Sequence, residues 1–162
     1  MKVRDVMMRT AARCYPETNL AAATEMMWAR NCGMLPVVDA SEKLIGVITD
    51  RDICIALGTR NRLPGEIAVK DVARVKIYYC KAQDDIREAL RMMAEHRVRR
   101  LPVVNEAGEV EGILSMDDAV LHADIANRAA ELSAEHVMNA LKAIYSPQVP
   151  QLVPKKLAAA CA

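Results

Sequence analysis

The chain has 162 residues and a formal net charge of +1; 52% of its residues are hydrophobic and only 3% are aromatic. This apolar share is too high for a disordered chain, and the near-neutral charge argues against a general electrostatic attachment to DNA or to an anionic membrane. Scarce aromatic residues argue against a stacking surface for single-stranded nucleic acid. Because the sequence has no Phe, its core has to be filled by Val, Ile, Leu, Ala and ten Met.

The N-terminus and the cysteines indicate the compartment. Residues 1–13 lack the apolar stretch of a signal peptide, and no run of about 18 apolar residues occurs in the sequence. The five Cys are odd in number and include no C-x-x-C pair, which is typical of free thiols in a reducing compartment. The three His have no metal-ligand spacing either. We therefore expect a cytoplasmic protein with no membrane span and no bound metal.

An internal repeat with an offset of 66 residues organises the chain. Leu35–Val38 recurs as Leu101–Val104, and Asp52 recurs as Asp118, without any gap between the two copies. The repeat divides the chain into two units at about 3–57 and 69–123, followed by a C-terminal extension.

The pattern of the first unit predicts five elements. In chain order they are a strand at 12–14, a helix from Leu20, strands at 34–38 and 44–49, and a helix at 50–57. Asn19 is suited to cap the first helix, and Gly33 is suited to end it.

The second unit repeats this order. Its predicted elements are a strand at 77–80, a helix after Asp84-Asp85, a strand ending at Val104, a strand at 110–115, and a helix at 116–123. Arg99 occupies the place of Gly33, which weakens the analogy at the helix end. A unit of about 60 residues is marginally stable alone. We therefore expect an α/β (α+β) fold in which two β-α-β-β-α repeats pack face to face with pseudo-two-fold symmetry.

The C-terminal extension carries apolar residues at helical spacing, including Ile125, Ala129 and Leu132. It predicts an amphipathic C-terminal helix that needs a surface to pack against. The predicted divisions are a first domain with linker at 1–66, a second domain at 67–123, a helix at 124–145 and an extended or disordered tail at 146–162.

Two segments around the repeated Leu-Pro-Val-Val resemble a known family. The first unit resembles a cystathionine beta-synthase (CBS) domain in the stretches Gly33–Asp39 and Leu44–Asp52. The second unit resembles another CBS domain in the stretches Val98–Asn105 and Gly112–Asp118. The resemblance covers residues 1–123 and is that of a tandem CBS pair. It implies a regulatory, non-catalytic module that binds AMP, ADP, ATP or S-adenosylmethionine in the cleft between its units. It also implies a homodimer.

The carried-over motif is Thr or Ser, two residues, then Asp, directly after the last strand of each unit. A carboxylate can accept hydrogen bonds from both hydroxyls of a ribose, and a hydroxyl at a helix start suits a phosphate. The resemblance implies that Thr49 and Asp52 share a site with Tyr78, Val98 and Arg99.

The same resemblance implies a second site. Ser115 and Asp118 would share it with Ala12, Cys32 and Gly33. Three arginines near the first site could neutralise phosphates, namely Arg97, Arg99 and Arg100. We therefore expect the nucleotide to bind more tightly at Asp52 than at Asp118. Arg13 is a candidate cation for the second. The same Ser/Thr-x-x-Asp spacing also predicts a helix capping box, and the two roles can coexist.

Three functional hypotheses stay open. The first is a sensor of an adenine nucleotide that signals to an effector protein in trans. The second is an interaction or scaffold protein with empty sites, in which the helix at 124–145 makes the contact. The third is a different ligand, namely S-adenosylmethionine, a dinucleotide or a nucleic acid bound at the basic run 91–100. No P-loop, dinucleotide fingerprint or nucleophile elbow is present, so we expect no enzymatic activity.

Overall fold

The computed structural model describes residues 1–9 and 11–147. Almost the whole of the predicted tail at 146–162 therefore lies outside the described residues. Within them, no helix is both long and apolar enough to cross a membrane.

The first unit contains two helices and a two-stranded antiparallel sheet. These are α1 (Leu20–Ala29), β1 (Met34–Val38), β2 (Leu44–Thr49) and α2 (Asp50–Arg60). The strand predicted at 12–14 is reduced to one parallel bridge between Cys14 and Val37. Pro16 follows shortly afterwards, and it has no N–H with which to extend a ladder.

The second unit contains a three-stranded sheet and two helices. Its elements are β3 (Cys80–Lys81), α3 (Ile86–His96), β4 (Arg100–Val104), β5 (Val110–Ser115) and α4 (Met116–His122). β3 pairs with β4 in parallel, and β4 pairs with β5 in antiparallel register. The predicted strand at 77–80 is thus shorter and later, because the Lys81 N–H already turns to the Asp84 carboxylate.

The first helix ends differently from the prediction. Asn31 takes the left-handed conformation just after α1, with φ of 48°, and Arg97 does the same after α3, with φ of 53°. These two positions correspond in the repeat, and Asn tolerates this conformation well. Gly33 therefore does not end the helix, and a Cβ there would lie 2.8 Å from a carboxylate oxygen of the Asp50 side chain.

The two units exchange their leading turns. The short 3₁₀ turn at Val3–Asp5 belongs to the first unit by sequence, yet Val3 is fully buried in the core of the second unit. The equivalent turn at Val69–Asp71 packs in the opposite direction, with Val69 in the core of the first unit. Each core is therefore completed by the other unit.

Backbone hydrogen bonds hold the exchanged turns in equivalent ways. The N–H of Val3 donates to Asp84 O at 3.0 Å, and the N–H of Val69 donates to Thr18 O at 2.7 Å. Because the same contacts recur with the 66-residue offset, the pseudo-two-fold relation predicted from the repeat extends to the linker segments.

The predicted helix at 124–145 is helical only in its second half. Helix α5 spans Ala134–Tyr145. The Asp124 carboxylate accepts a hydrogen bond from the Ala126 N–H at 2.9 Å, and this local turn competes with a helix. The helix begins only after Ser133, whose side chain caps it. The predicted start at 124 is therefore wrong.

Helix α5 does find the packing surface that its apolar stripe requires. It lies against α3, and Leu132, Val137 and Ala140 are buried in the core of the second unit. The N-terminal ammonium of Met1 also pairs with Glu131 just before this helix. The second half of the extension thus packs in the second unit's core, whereas Ile125 of the predicted apolar stripe is 88% exposed.

Candidate functional site

The first motif forms a complete capping box at the start of α2. The Thr49 hydroxyl accepts the Asp52 N–H at 3.2 Å, and Asp52 Oδ2 accepts the Thr49 N–H at 3.1 Å. The Thr49 hydroxyl also donates to the same Oδ2 at 2.6 Å. The capping role that the spacing predicted is therefore present, and it occupies one carboxylate oxygen of Asp52.

Arg74 occupies the other oxygen. Its Nε and Nη2 donate to Asp52 Oδ1 at 2.9 and 2.6 Å. The Asp52 side chain is only 9% exposed, whereas that of Arg74 is 57% exposed. The sequence does not predict this ion pair, because no local pattern marks Arg74 as a partner of a residue in the other unit.

Strand pairing brings Arg74 to this position. Its backbone forms two hydrogen bonds with Val47 in β2, at 2.9 and 3.1 Å. The chain crosses close to Gly46, where a Cβ would lie 3.3 Å from the Arg74 carbonyl oxygen. Glycine in a strand is typical of such a close backbone approach.

The second motif forms the same capping box at the start of α4. Asp118 Oδ2 accepts the Ser115 N–H at 2.8 Å and the Ser115 hydroxyl at 2.6 Å. Asp118 is half-buried, and its Oδ1 accepts no hydrogen bond from residues 1–9 or 11–147. This carboxylate thus keeps a hydrogen-bond acceptor that Asp52 has already used.

The predicted cations have other partners. Arg97 donates to the Ser146 carbonyl and Arg99 to the Tyr145 hydroxyl, both at the end of α5. Arg13 pairs with Glu42 at 2.8 Å. None of these three forms an ion pair or hydrogen bond with Asp52 or Asp118 in the described structure, and the tighter binding expected at Asp52 stays a prediction.

Tyr78 and Val98 lie at the edge of the second unit's core. The Tyr78 ring stacks on His96 with centroids 3.7 Å apart and an interplanar angle of 9°. One face of this ring is therefore already covered. Val98 is half-buried against the same core.

A groove beside α1 and α2 unites residues that the resemblance had assigned to different sites. Its volume is about 650 Å³, and its lining includes Cys32, Gly33, Asp50 and Arg100. Arg100 had been grouped with Asp52, but it reaches the Gly33 and Asp50 end of this groove. Ala12, the remaining predicted residue, packs half-buried against the first unit's core.

The buried thiols are poor metal ligands and poor nucleophiles. Burial raises the pKa of Cys14 to about 11, and burial with the nearby Asp84 charge raises the pKa of Cys80 to about 12. Both therefore stay protonated at neutral pH, whereas metal binding and nucleophilic attack need the thiolate. In the described part of the chain, no group of three or more His, Cys, Asp or Glu side chains could hold a metal ion.

Comparison with known proteins agrees with this architecture. Hypoxic response protein 1 of Mycobacterium tuberculosis is 37% identical over 145 residues, which cover 89% of this chain and 94% of that protein. The crystal structure of Hypoxic Response Protein I, which has two coordinated zinc ions, matches with a TM-score of 0.70 at 32% identity, covering 76% of this chain and 100% of that one. CBSX2 in complex with AMP matches with a TM-score of 0.65 at 26% identity, covering 74% and 93%.

The family model for the CBS domain matches residues 3–59 and 69–123, one match for each unit of the repeat. Together with the doubled motif and the exchanged turns, these two matches show that the chain belongs to the CBS domain family.

Proposed function

We propose that this protein is a regulatory module that binds an adenosine-containing ligand, with AMP as the first candidate, at Asp118. The observation that carries the proposal is that Asp118 Oδ1 accepts no hydrogen bond from the described residues, while the Ser115 hydroxyl orients the carboxylate through Oδ2. A carboxylate oxygen in this setting can accept hydrogen bonds from ribose hydroxyls with charge assistance. The AMP bound to the similar protein CBSX2 supports this choice of ligand.

A regulatory rather than enzymatic role fits the same site. Asp118 and Ser115 are engaged with each other, and the buried thiols of Cys14 and Cys80 have raised pKa values. We propose that ligand binding changes the arrangement of the two units and that an effector protein in trans responds to this change.

We also propose a homodimer. Apolar side chains are exposed on the outer faces of α2 and α4, where Ile55 is 50% exposed and Leu121 is 81% exposed. These two residues correspond in the repeat, and Trp28 on α1 is 87% exposed. Large exposed apolar side chains that recur on equivalent helices are typical of an association surface.

The ligand site is tested with Asp118→Asn, because Asn preserves the size of the side chain and an oxygen for the Ser115 cap. Loss of the charge should weaken AMP binding about tenfold, or roughly 1.4 kcal/mol, in isothermal titration calorimetry. The matched control is Asp117→Asn, which removes an exposed charge next to the site and should leave the affinity unchanged. If the wild-type protein binds none of AMP, ATP and S-adenosylmethionine at millimolar concentration, the proposal is wrong.

A further inference from the structure

The two motif carboxylates face different side chains on the segment that crosses the neighbouring strand. Arg74 and Met8 occupy equivalent places, since Arg74 bridges to Val47 and Met8 bridges to Ile113 with the same pair of backbone hydrogen bonds. The backbone hydrogen bonds of the crossing segment therefore match in both halves, and the side chain makes the difference.

This side chain decides whether the carboxylate is available. Arg74 places two N–H groups on Asp52 Oδ1, while Thr49 occupies Oδ2. The thioether of Met8 has no N–H or O–H to donate, and it is 55% exposed. Asp118 therefore keeps an open oxygen, whereas both oxygens of Asp52 are in use.

A ribose would have to replace the guanidinium to bind at Asp52. Its hydroxyls are neutral donors, while Arg74 makes charge-assisted hydrogen bonds to a carboxylate that is 9% exposed. Removing the partner of a buried charge is strongly unfavourable. A neutral pair of hydroxyls does not compensate for the ion pair that it displaces.

We infer that Arg74 is a lock that closes the Asp52 site to adenosine ligands, so that each chain binds one such ligand, at Asp118. The inference rests on the proposed function for its ligand class, but it assigns to Arg74 a specificity role that the motif itself does not contain. The Arg74 side chain is 57% exposed, so its guanidinium could move into solvent without displacing core side chains, but this movement would leave the Asp52 carboxylate without its charged partner.

Reciprocal exchange of the two side chains tests the lock. Calorimetric titration with AMP should give one site per wild-type chain and two sites per chain of Arg74→Met. Introducing Asp52→Asn into the Arg74→Met variant should remove the added site. Met8→Arg should close the Asp118 site and lower AMP affinity at least tenfold. The double variant Arg74→Met with Met8→Arg should bind one AMP, and its binding should depend on Asp52 and no longer on Asp118.

The outcomes separate the lock from the ligand proposal. If the wild type and Arg74→Met both bind one AMP with equal affinity, or if the wild type binds two, the lock is wrong and the ligand proposal stands. If Arg74→Met binds AMP and the wild type does not, the lock is supported and the assignment to Asp118 is wrong. If neither protein binds AMP, both ideas fail. Thermal unfolding verifies that each variant is folded, and Arg74→Gln provides a second neutral variant that can still donate a hydrogen bond.

Discussion

Gly112 lies where the backbone of Met8 crosses strand β5, and a Cβ at this position would lie 2.4 Å from the Met8 carbonyl oxygen. The equivalent Gly46 has more room, with 3.3 Å to the Arg74 carbonyl oxygen. Since the neighbouring atom in both cases is backbone, it cannot simply rotate away. These two glycines allow the crossing segments to reach the motif carboxylates.

Gly112→Ala should therefore lower the free energy of unfolding by about 1–3 kcal/mol, because the added methyl group overpacks a backbone contact. Urea unfolding followed by circular dichroism measures the effect. Gly46→Ala should cost less, and Gly65→Ala should change stability by no more than about 0.5 kcal/mol, because nothing lies within 4 Å of a Cβ at Gly65. Equal stabilities for Gly112→Ala and Gly65→Ala would contradict this account of the crossing.

At the level of elements, the local sequence patterns predict most of the regular elements correctly. Strands β1, β2 and β5 have the predicted bounds, and the helix caps at Asn19 and Asp85 are formed. The errors lie at ends and in loops, as at Gly33 and at the start of α5. In those places a side chain such as Asp124 or Asn31 satisfies the backbone locally and overrides the helical period.

The outer faces of α2 and α4 carry the proposed dimer surface. Leu121→Asp and Ile55→Asp should each shift the protein from dimer to monomer, because a charge would be buried in the interface. Size-exclusion chromatography with light scattering measures the mass. The control is Val75→Asp, an exposed apolar residue outside these helices, which should leave the mass unchanged. A wild-type protein that is already monomeric at high micromolar concentration would rule out the proposed surface.

For the whole molecule, the exchanged turns make the two units depend on each other. Each core is thin because no Phe is available, and each is completed by apolar side chains from the other unit's leading segment, Val3 and Val6 in the second core and Ile67 and Val69 in the first. We expect the pair to unfold as one cooperative unit, since loss of either turn opens the core of the opposite unit.

Val3→Ala should lower the free energy of unfolding by about 2 kcal/mol, from the lost methyl groups and the cavity that remains. Hydrogen exchange should become faster at amides of the second unit, such as those of Met93 and Leu114, although the change lies in the first unit by sequence. The same substitution at the exposed Val75 serves as the control. Faster exchange confined to the first unit would show that the turns are not exchanged in solution.

The sequence by itself determined the repeat, the family, the inward faces of the helices and the two capping boxes. These features depend on residue spacing within one unit, and local hydrogen bonds or hydrophobic periodicity enforce them wherever the unit lies. It also named Asp52 and Asp118 as the residues to compare, because they recur at the same place in each copy.

Only the tertiary structure decided what stands opposite each carboxylate. The exchange of the leading turns carries Arg74 across β2 to Asp52, and it carries Met8 to the equivalent backbone bridge with Ile113 in β5. Those contacts join residues that are distant in the chain, and no spacing rule within one unit can predict them. The physical difference between the two carboxylates is therefore a property of the packed pair, and it is the reason that we propose the ligand site at Asp118 rather than at Asp52.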